Sequence, residues 1–251
     1  GDAPVLFEFV EPGFEFGLLF GLVRGAAPDI DLALLEAELK GFLDELLHGR
    51  FMQERVPPEA RVIRDIAFSG NGEPTGSKAF AEIVDKVVSI RNAAGLDAVP
   101  IRLITNGSLV DRPYVQTALQ HLAAAGGEVW FKFDAGTAAD IARINGIDVE
   151  PHTHARRLAM CASLCPTWVQ TCLFRWDGQV PSQDQIDHYR EMLEYAGSAA
   201  LKGVLLYGVA RPSFQPEATH LQQLAPDELE AIARTVREML GSAGLTVTVS
   251  P

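Results

Sequence analysis

Short apolar runs rich in β-branched and aromatic residues recur along the chain, separated by longer segments in which apolar residues return every three or four positions. A short run that is apolar throughout predicts a parallel strand buried on both faces, and the longer periodic segments predict amphipathic helices. The runs place strands at 62–70 (VIRDIAFSG), 99–105, 128–134, 167–176, 203–208 and 245–250. The periodic segments place helices near 31–47, 79–94, 113–124, 138–145, 153–164, 183–196 and 226–241. Pro113 after Asp111, Ser182 before Gln183, and Pro226 followed by Asp227 and Glu228 suit helix starts. Gly95, Gly197 and Gly244 stand where helices should stop.

Six strands alternating with helices form a serial β-α-β pattern, for which right-handed crossovers leave two outcomes: a closed or partial barrel, or an open doubly wound sheet. No linker interrupts the pattern, so one domain over residues 1–251 is expected, with 1–30 as an irregular N-terminal segment. That segment contains FEFGLLFGLVRGAAP, which is apolar but short and broken by glycine.

Charge then narrows the partners. With 33 acidic against 21 basic residues the formal charge is −12, which repels a phosphate backbone, and no basic patch offsets it. No apolar stretch is long enough for a membrane span, and the opening GDAPVLFEFVEPGF lacks the plan of a signal peptide, so a cytoplasmic location is expected. Three cysteines, an odd number, argue against a disulfide framework.

In both candidate architectures ligands bind at the C-terminal ends of the strands, and here those ends are polar. The first strand ends Ser69-Gly70-Asn71-Gly72-Glu73-Pro74 and the second Thr105-Asn106-Gly107-Ser108. The third ends Lys132-Phe133-Asp134-Ala135-Gly136-Thr137, the fourth runs out through Gln170 to Arg175, and the fifth ends Tyr207-Gly208-Val209-Ala210-Arg211-Pro212. Alternation puts Trp130, Lys132 and Asp134 on one side, where Lys132 and Asp134 can pair or hold a ligand. A ligand pocket at this rim follows. Gly70-Asn71-Gly72 approaches the dinucleotide fingerprint, but Glu73 and Pro74 bring negative charge and remove a donor where a pyrophosphate needs the opposite. A carboxylate in that turn suits an ammonium.

IAFSGNGEPT, then IRLITNGSLV, then VWFKFDAGT with INGID after it, then WVQTCLFRWDG resembles the radical S-adenosylmethionine (SAM) superfamily, nearest the branch of wyosine-type tRNA-modifying and uncharacterised proteins. The resemblance runs from about residue 62 to the C-terminus. It implies a partial (β/α)6 TIM-like barrel whose turn after the second barrel strand binds the amino group of S-adenosylmethionine. Here that turn is Ser69, Gly70, Asn71, Gly72, Glu73 and Pro74. It further implies Asn106, Lys132 and Asp134 near the carboxylate and ribose, and a backbone contact to adenine near Tyr207 and Gly208. A [4Fe–4S] cluster, a small-molecule substrate, and an electron donor such as a flavodoxin or ferredoxin complete the expectation, the cofactor supplying the radical chemistry.

The family holds its cluster with C-x3-C-x2-C ahead of that turn, and this chain has no cysteine before residue 161. Where the loop belongs it reads GLVRGAAPDIDL, and Arg24, Gly25 or Asp29 cannot replace thiolates. Cys161, Cys165 and Cys172 have the spacing C-x3-C-x6-C, lie too late in the chain, and are read as small buried hydrophobes. His152 and His154 are read as exposed loop histidines. Of Trp130, Trp168 and Trp176, at least two are expected in the core. The expected activity is reductive cleavage of S-adenosylmethionine by a full-length form with the cluster loop, this chain itself being inactive. A degenerate nucleoside-binding barrel and a tRNA-modifying enzyme are the alternatives.

Overall fold

A computed structural model of the chain describes residues 7–8, 30–69, 72–209, 216–241 and 244–250. By contacts the chain divides into two compact units, Gly1–Thr105 with Leu109–Glu128, and Asn106–Ser108 with Val129–Pro251.

In the first unit β1 (Phe7–Glu8) pairs antiparallel with β2 (Ile66–Phe68), and β2 pairs parallel with β3 (Ile101–Thr105), Ile66 opposite Ile101. Helices α1 (Leu32–His48), α2 (Phe51–Arg55), α3 (Phe80–Ala93) and α4 (Pro113–Ala124) belong to the same unit. Helix α1 starts where Asp31 accepts the backbone N–H groups of Ala33 and Leu34 at 2.9 and 3.1 Å, satisfying two orphan donors. Its buried residues, Leu35, Leu39, Leu43 and Leu46, recur at helical spacing on one stripe. Each such side chain contributes roughly 1.5–3 kcal/mol by leaving water.

The strand expected over 62–70 is confined to Ile66–Phe68. Asp65, just before it, turns its carboxylate inward, 2 % exposed, onto Arg102, whose Nε also binds Glu128 at 2.7 Å. Burial raises the Asp65 carboxyl above its ordinary value, against the opposing pull of Arg102, and its Oδ1 has no hydrogen-bond partner among the described residues.

The second unit is built on β4 (Glu128–Lys132), β5 (Thr167–Leu173), β7 (Gly203–Gly208) and β9 (Thr246–Ser250), all parallel; Glu128 itself falls in the first unit. A small hairpin pairs β6 (Arg175–Trp176) with β8 (Leu221–Gln222). Between them run α5 (Ala138–Asn145), α6 (Pro151–Leu164), α7 (Gln183–Tyr195) and α8 (Pro226–Leu240). Register fixes two faces. Val129, Phe131, Thr167, Val169, Thr171, Val204 and Leu206 point to the helices and are buried. Trp130, Lys132, Trp168, Gln170, Cys172, Leu205 and Tyr207 share the other, inner face and keep some exposure.

Ser182 and Gln185 form a reciprocal capping box at the start of α7. That helix lies against the loop after β4: a Cβ on Gly136 would meet the His188 carbonyl carbon at 2.3 Å. Counted over both units, six strands are parallel, and the fold is a mostly parallel α/β architecture. No helix among the described residues is long and apolar enough to cross a membrane.

Candidate functional site

At the end of β2, Glu73 caps the short 3-10 turn Pro74–Gly76. Its Oε1 accepts from the Thr75 N–H at 3.2 Å, the Thr75 hydroxyl at 2.7 Å and the Thr105 hydroxyl at 2.7 Å. Thr75 and Thr105 are both buried, and Tyr114 donates its hydroxyl to the Thr75 carbonyl at 3.1 Å. One carboxylate oxygen thus ties the turn to the end of β3. Gly70 and Asn71 lie outside the described residues, as do Ala210, Arg211 and Pro212 of the fifth strand end and the region expected to hold the cluster loop. Ser69 is partly exposed at the end of β2, followed after the undescribed pair by Gly72 and Pro74 in the same unit.

Asn106, Lys132, Asp134, Tyr207 and Gly208 fall in the second unit. Asn106 accepts the Ser108 N–H at 2.9 Å, closing a turn in which Gly107 has φ +70°. A Cβ on Gly107 would sit 2.1 Å from the Phe131 ring, so this turn requires glycine on both counts.

Asp134 does not pair with Lys132. Its Oδ1 accepts the backbone N–H of Cys172 and its Oδ2 the Asn145 amide, both at 2.9 Å, so the carboxylate stitches β4 to β5 and to the end of α5. Lys132 is exposed, and its ammonium has no hydrogen bond or ion pair among the described residues. Beside it in register stands Gln170, whose Oε1 is buried without a hydrogen-bond partner among the described residues. Tyr207 stands opposite Cys172 and Ser250, and Gly208 pairs with Leu173. The sequence marked Gln170 only as one polar residue at a strand end; period-2 alternation gives its face, but not its neighbours' bonding.

The three cysteines are free. Cys161 lies on α6 at 0 % exposure, and Cys165 ends that helix at 3 %. The Thr167 hydroxyl lies 3.5 Å from the Cys161 sulfur and donates to the Cys165 carbonyl at 2.8 Å. Burial, helped by the Asp134 charge, pushes the Cys172 thiol up to about 12 despite a hydrogen bond with Tyr207. Among the described residues no three histidine, cysteine or carboxylate side chains gather as a metal site, so a [4Fe–4S] cluster does not fit the donors placed here.

The histidine expectation is corrected. Helix α6 begins at Pro151, because the Glu150 carboxylate accepts the N–H groups of His152 and Thr153 at 3.0 and 2.8 Å. His154 is therefore on a helix; it stacks on Phe133 at 4.7 Å, and its Nε2 lies 3.1 Å from the Lys132 carbonyl. Burial lowers its pKa from the ordinary histidine value, so it serves as a neutral donor to that carbonyl. None of the tryptophans is fully buried: Trp130 and Trp168 lie on the inner face, and Trp176 on the hairpin stacks against His220 at 5.2 Å.

A cavity of about 280 Å³ opens on the helix side of β5, under that hairpin, lined by Thr171, Leu206, Trp176, Ile186, Ile232 and Arg143 among others. Its polar groups bond one another: Thr171 with Tyr189 at 2.7 Å, and Asp140 with Thr137, Arg143 and Gln185.

Two solved structures share this architecture. Streptococcus suis SuiB bound to S-adenosylmethionine aligns over 90% of this chain and 44% of its own, at 10% identity and a TM-score of 0.57. A radical SAM methyltransferase from Sphaerobacter thermophilus aligns over 88% of this chain and 57% of its own, at 14% identity and a TM-score of 0.50. The chain thus spans about half the length of these proteins. No family model matches the sequence, and no curated protein does. At such identities the likeness is one of fold, a mostly parallel α/β architecture that these two proteins share with the chain.

Proposed function

We propose that the chain is the S-adenosylmethionine-binding barrel of a radical SAM-type protein, its ligand lying at the C-terminal ends of the parallel strands. The observation that carries this is the Glu73 turn, held to the end of β3 through Thr105, in a fold shared with a solved S-adenosylmethionine complex. In the first unit Ser69 to Pro74 are proposed to meet an ammonium; in the second, Asn106, Lys132 and Asp134 are proposed to meet a carboxylate and ribose hydroxyls. The backbone near Tyr207 and Gly208 would meet an adenine.

Iron–sulfur chemistry would belong to a form that carries the C-x3-C-x2-C loop, since among the described residues Cys161 and Cys165 are buried, Cys172 is half-buried, and none joins a three-ligand group. For these residues the proposed activity is binding without cleavage. Isothermal titration of the purified chain with S-adenosylmethionine is expected to show saturable one-to-one binding. Anaerobic reconstitution with iron and sulfide is expected to give no thiolate-to-iron absorption and no 5′-deoxyadenosine. Absence of binding overturns the proposal, and a stoichiometric cluster overturns the restriction to binding. The tRNA-modifying reading gains nothing from a chain of formal charge −12.

A further inference from the structure

The cavity under the hairpin lies on the helix side of β5, across the strand from the face that carries Lys132, Gln170 and Tyr207, and the proposed function makes no use of it. Protein interiors pack densely, and a void of about 280 Å³ exceeds what ordinary core packing leaves. Its walls are chiefly apolar: Leu173 and Leu206 from the sheet, Ile186 from α7, and Ile232 and Val236 from α8. Trp176 adds the wall on the hairpin side, and its place is fixed. Asp177 and Gly178, with φ of 49° and 79°, make the two-residue turn across which Trp176 and Gln179 exchange backbone hydrogen bonds at 2.9 Å. Arg143 sits over the Trp176 ring at 5.4 Å, and Arg175 pairs with Glu228 on α8.

The most deeply buried polar groups on these walls are two hydroxyls, those of Thr171 and Tyr189. Thr171 donates its only hydroxyl proton to the Phe133 carbonyl at 2.9 Å, so in the 2.7 Å contact between Thr171 and Tyr189 the tyrosine is the donor. Burial keeps the proton on Tyr189 by raising its pKa, against the pull of the Thr171 hydrogen bond. With both protons committed, the Tyr189 oxygen can only accept, and no donor reaches it among the described residues. The charges around the cavity are closed. Arg143 pairs with Asp140, which also accepts from Thr137 and Gln185, and Asp177 meets His220 at 2.7 Å. Asp134 accepts the Cys172 N–H and the Asn145 amide. A charged ligand would lose its water here without gaining a counter-ion.

We propose that this cavity is a binding site for a neutral, ring-sized apolar molecule bearing one hydrogen-bond donor, of the phenol or indole kind, with Tyr189 accepting from that donor. The ring gains dispersion contacts with the aliphatic walls that the void now forfeits, and the donor meets the one open acceptor. A cavity of about 150 Å³ lined by such side chains already takes benzene, so this one has room for a substituted ring. Neither S-adenosylmethionine nor an iron–sulfur cluster enters the inference, and its test stands apart from that of the proposed function.

Titration calorimetry of the whole chain with p-cresol and with toluene tests the site, because the two share a ring and a methyl group and differ in the donor. p-Cresol is expected to bind one-to-one and about five- to tenfold more tightly than toluene, the worth of one hydrogen bond. Tyr189→Phe should remove that preference by weakening p-cresol alone, whereas a disturbed cavity would weaken both ligands. Ile232→Phe, which fills the cavity from α8, should abolish binding of both while the chain keeps a cooperative melting transition. Absence of p-cresol binding, equal affinity of the wild type for both ligands, or binding undiminished in Ile232→Phe overturns the site. A preference that survives Tyr189→Phe, or a loss of both ligands in that variant, overturns the role of Tyr189.

Discussion

At the scale of single residues, the environment of a side chain changes what its chemistry can do. Cys172 has the residue type of a ligand or nucleophile, yet burial and the neighbouring Asp134 raise its thiol from 9.0 to about 12. At pH 8 its thiolate fraction is roughly a thousandfold below that of an ordinary cysteine, and thiolate is the reactive form. Iodoacetamide should therefore leave the native chain almost unlabelled at that pH. Three equivalents should be taken up after unfolding, read by intact mass. Rapid labelling of native Cys172 would show that the thiol is not held as described. Glu73 teaches the complementary lesson: its residue type and turn were legible, but its hydrogen bond to Thr105 joins positions 32 residues apart. A sequence shows a carboxylate in a turn, not which of its oxygens the fold engages.

Among elements, the segments whose period is long survived translation into structure and the shortest ones did not. Buried parallel strands leave continuous apolar runs, and α4 and α5 occupy the spans 113–124 and 138–145 that their periodicity predicts. The two-residue strands of the β6–β8 hairpin carry no period, and α2 is a single turn, so neither is visible in the pattern. Helix α6 begins two residues before its predicted start because a carboxylate, not an apolar residue, initiates it.

That carboxylate makes α6 sensitive to acid. The hydrogen bonds from His152, backbone first and then ring, followed by those from Thr153, hold Glu150 at about 2, down from 4.5. A lowered folded pKa gives stability that is present above the unfolded value and is lost as pH falls through the folded one, here between about 4.5 and 2. Solvent screens this exposed group, so the effect is best read as a difference. Thermal unfolding of the wild type and Glu150→Gln should show a gap at pH 6 that closes as pH drops through that window. A gap independent of pH would mean that the carboxylate charge plays no part in the cap.

For the molecule as a whole, the order of strands and helices was legible because each element is buried or amphipathic along its own length. The choice between barrel and open sheet was not, since both obey the same alternation and differ only in how strands curve. Tertiary partners were equally hidden. Nothing local in the sequence marks Asp65, Arg102 and Glu128 as one ionic trio, with Asp65 almost wholly out of water. That trio also has a thermal signature. Hydration of charged groups becomes less favourable on heating, so the penalty for withdrawing these three from water shrinks as temperature rises. Replacing them together (Asp65→Leu, Arg102→Met, Glu128→Leu) should add about 1–4 kcal/mol of stability. The gain should be largest in the cold and smallest near the melting temperature, read as a more strongly curved stability profile for the variant by calorimetry and chemical denaturation. A triple variant weakened at every temperature would mark the trio as net favourable. On this account the wild-type chain carries ionic packing suited to warmth, and cooling rather than heating exposes its burden.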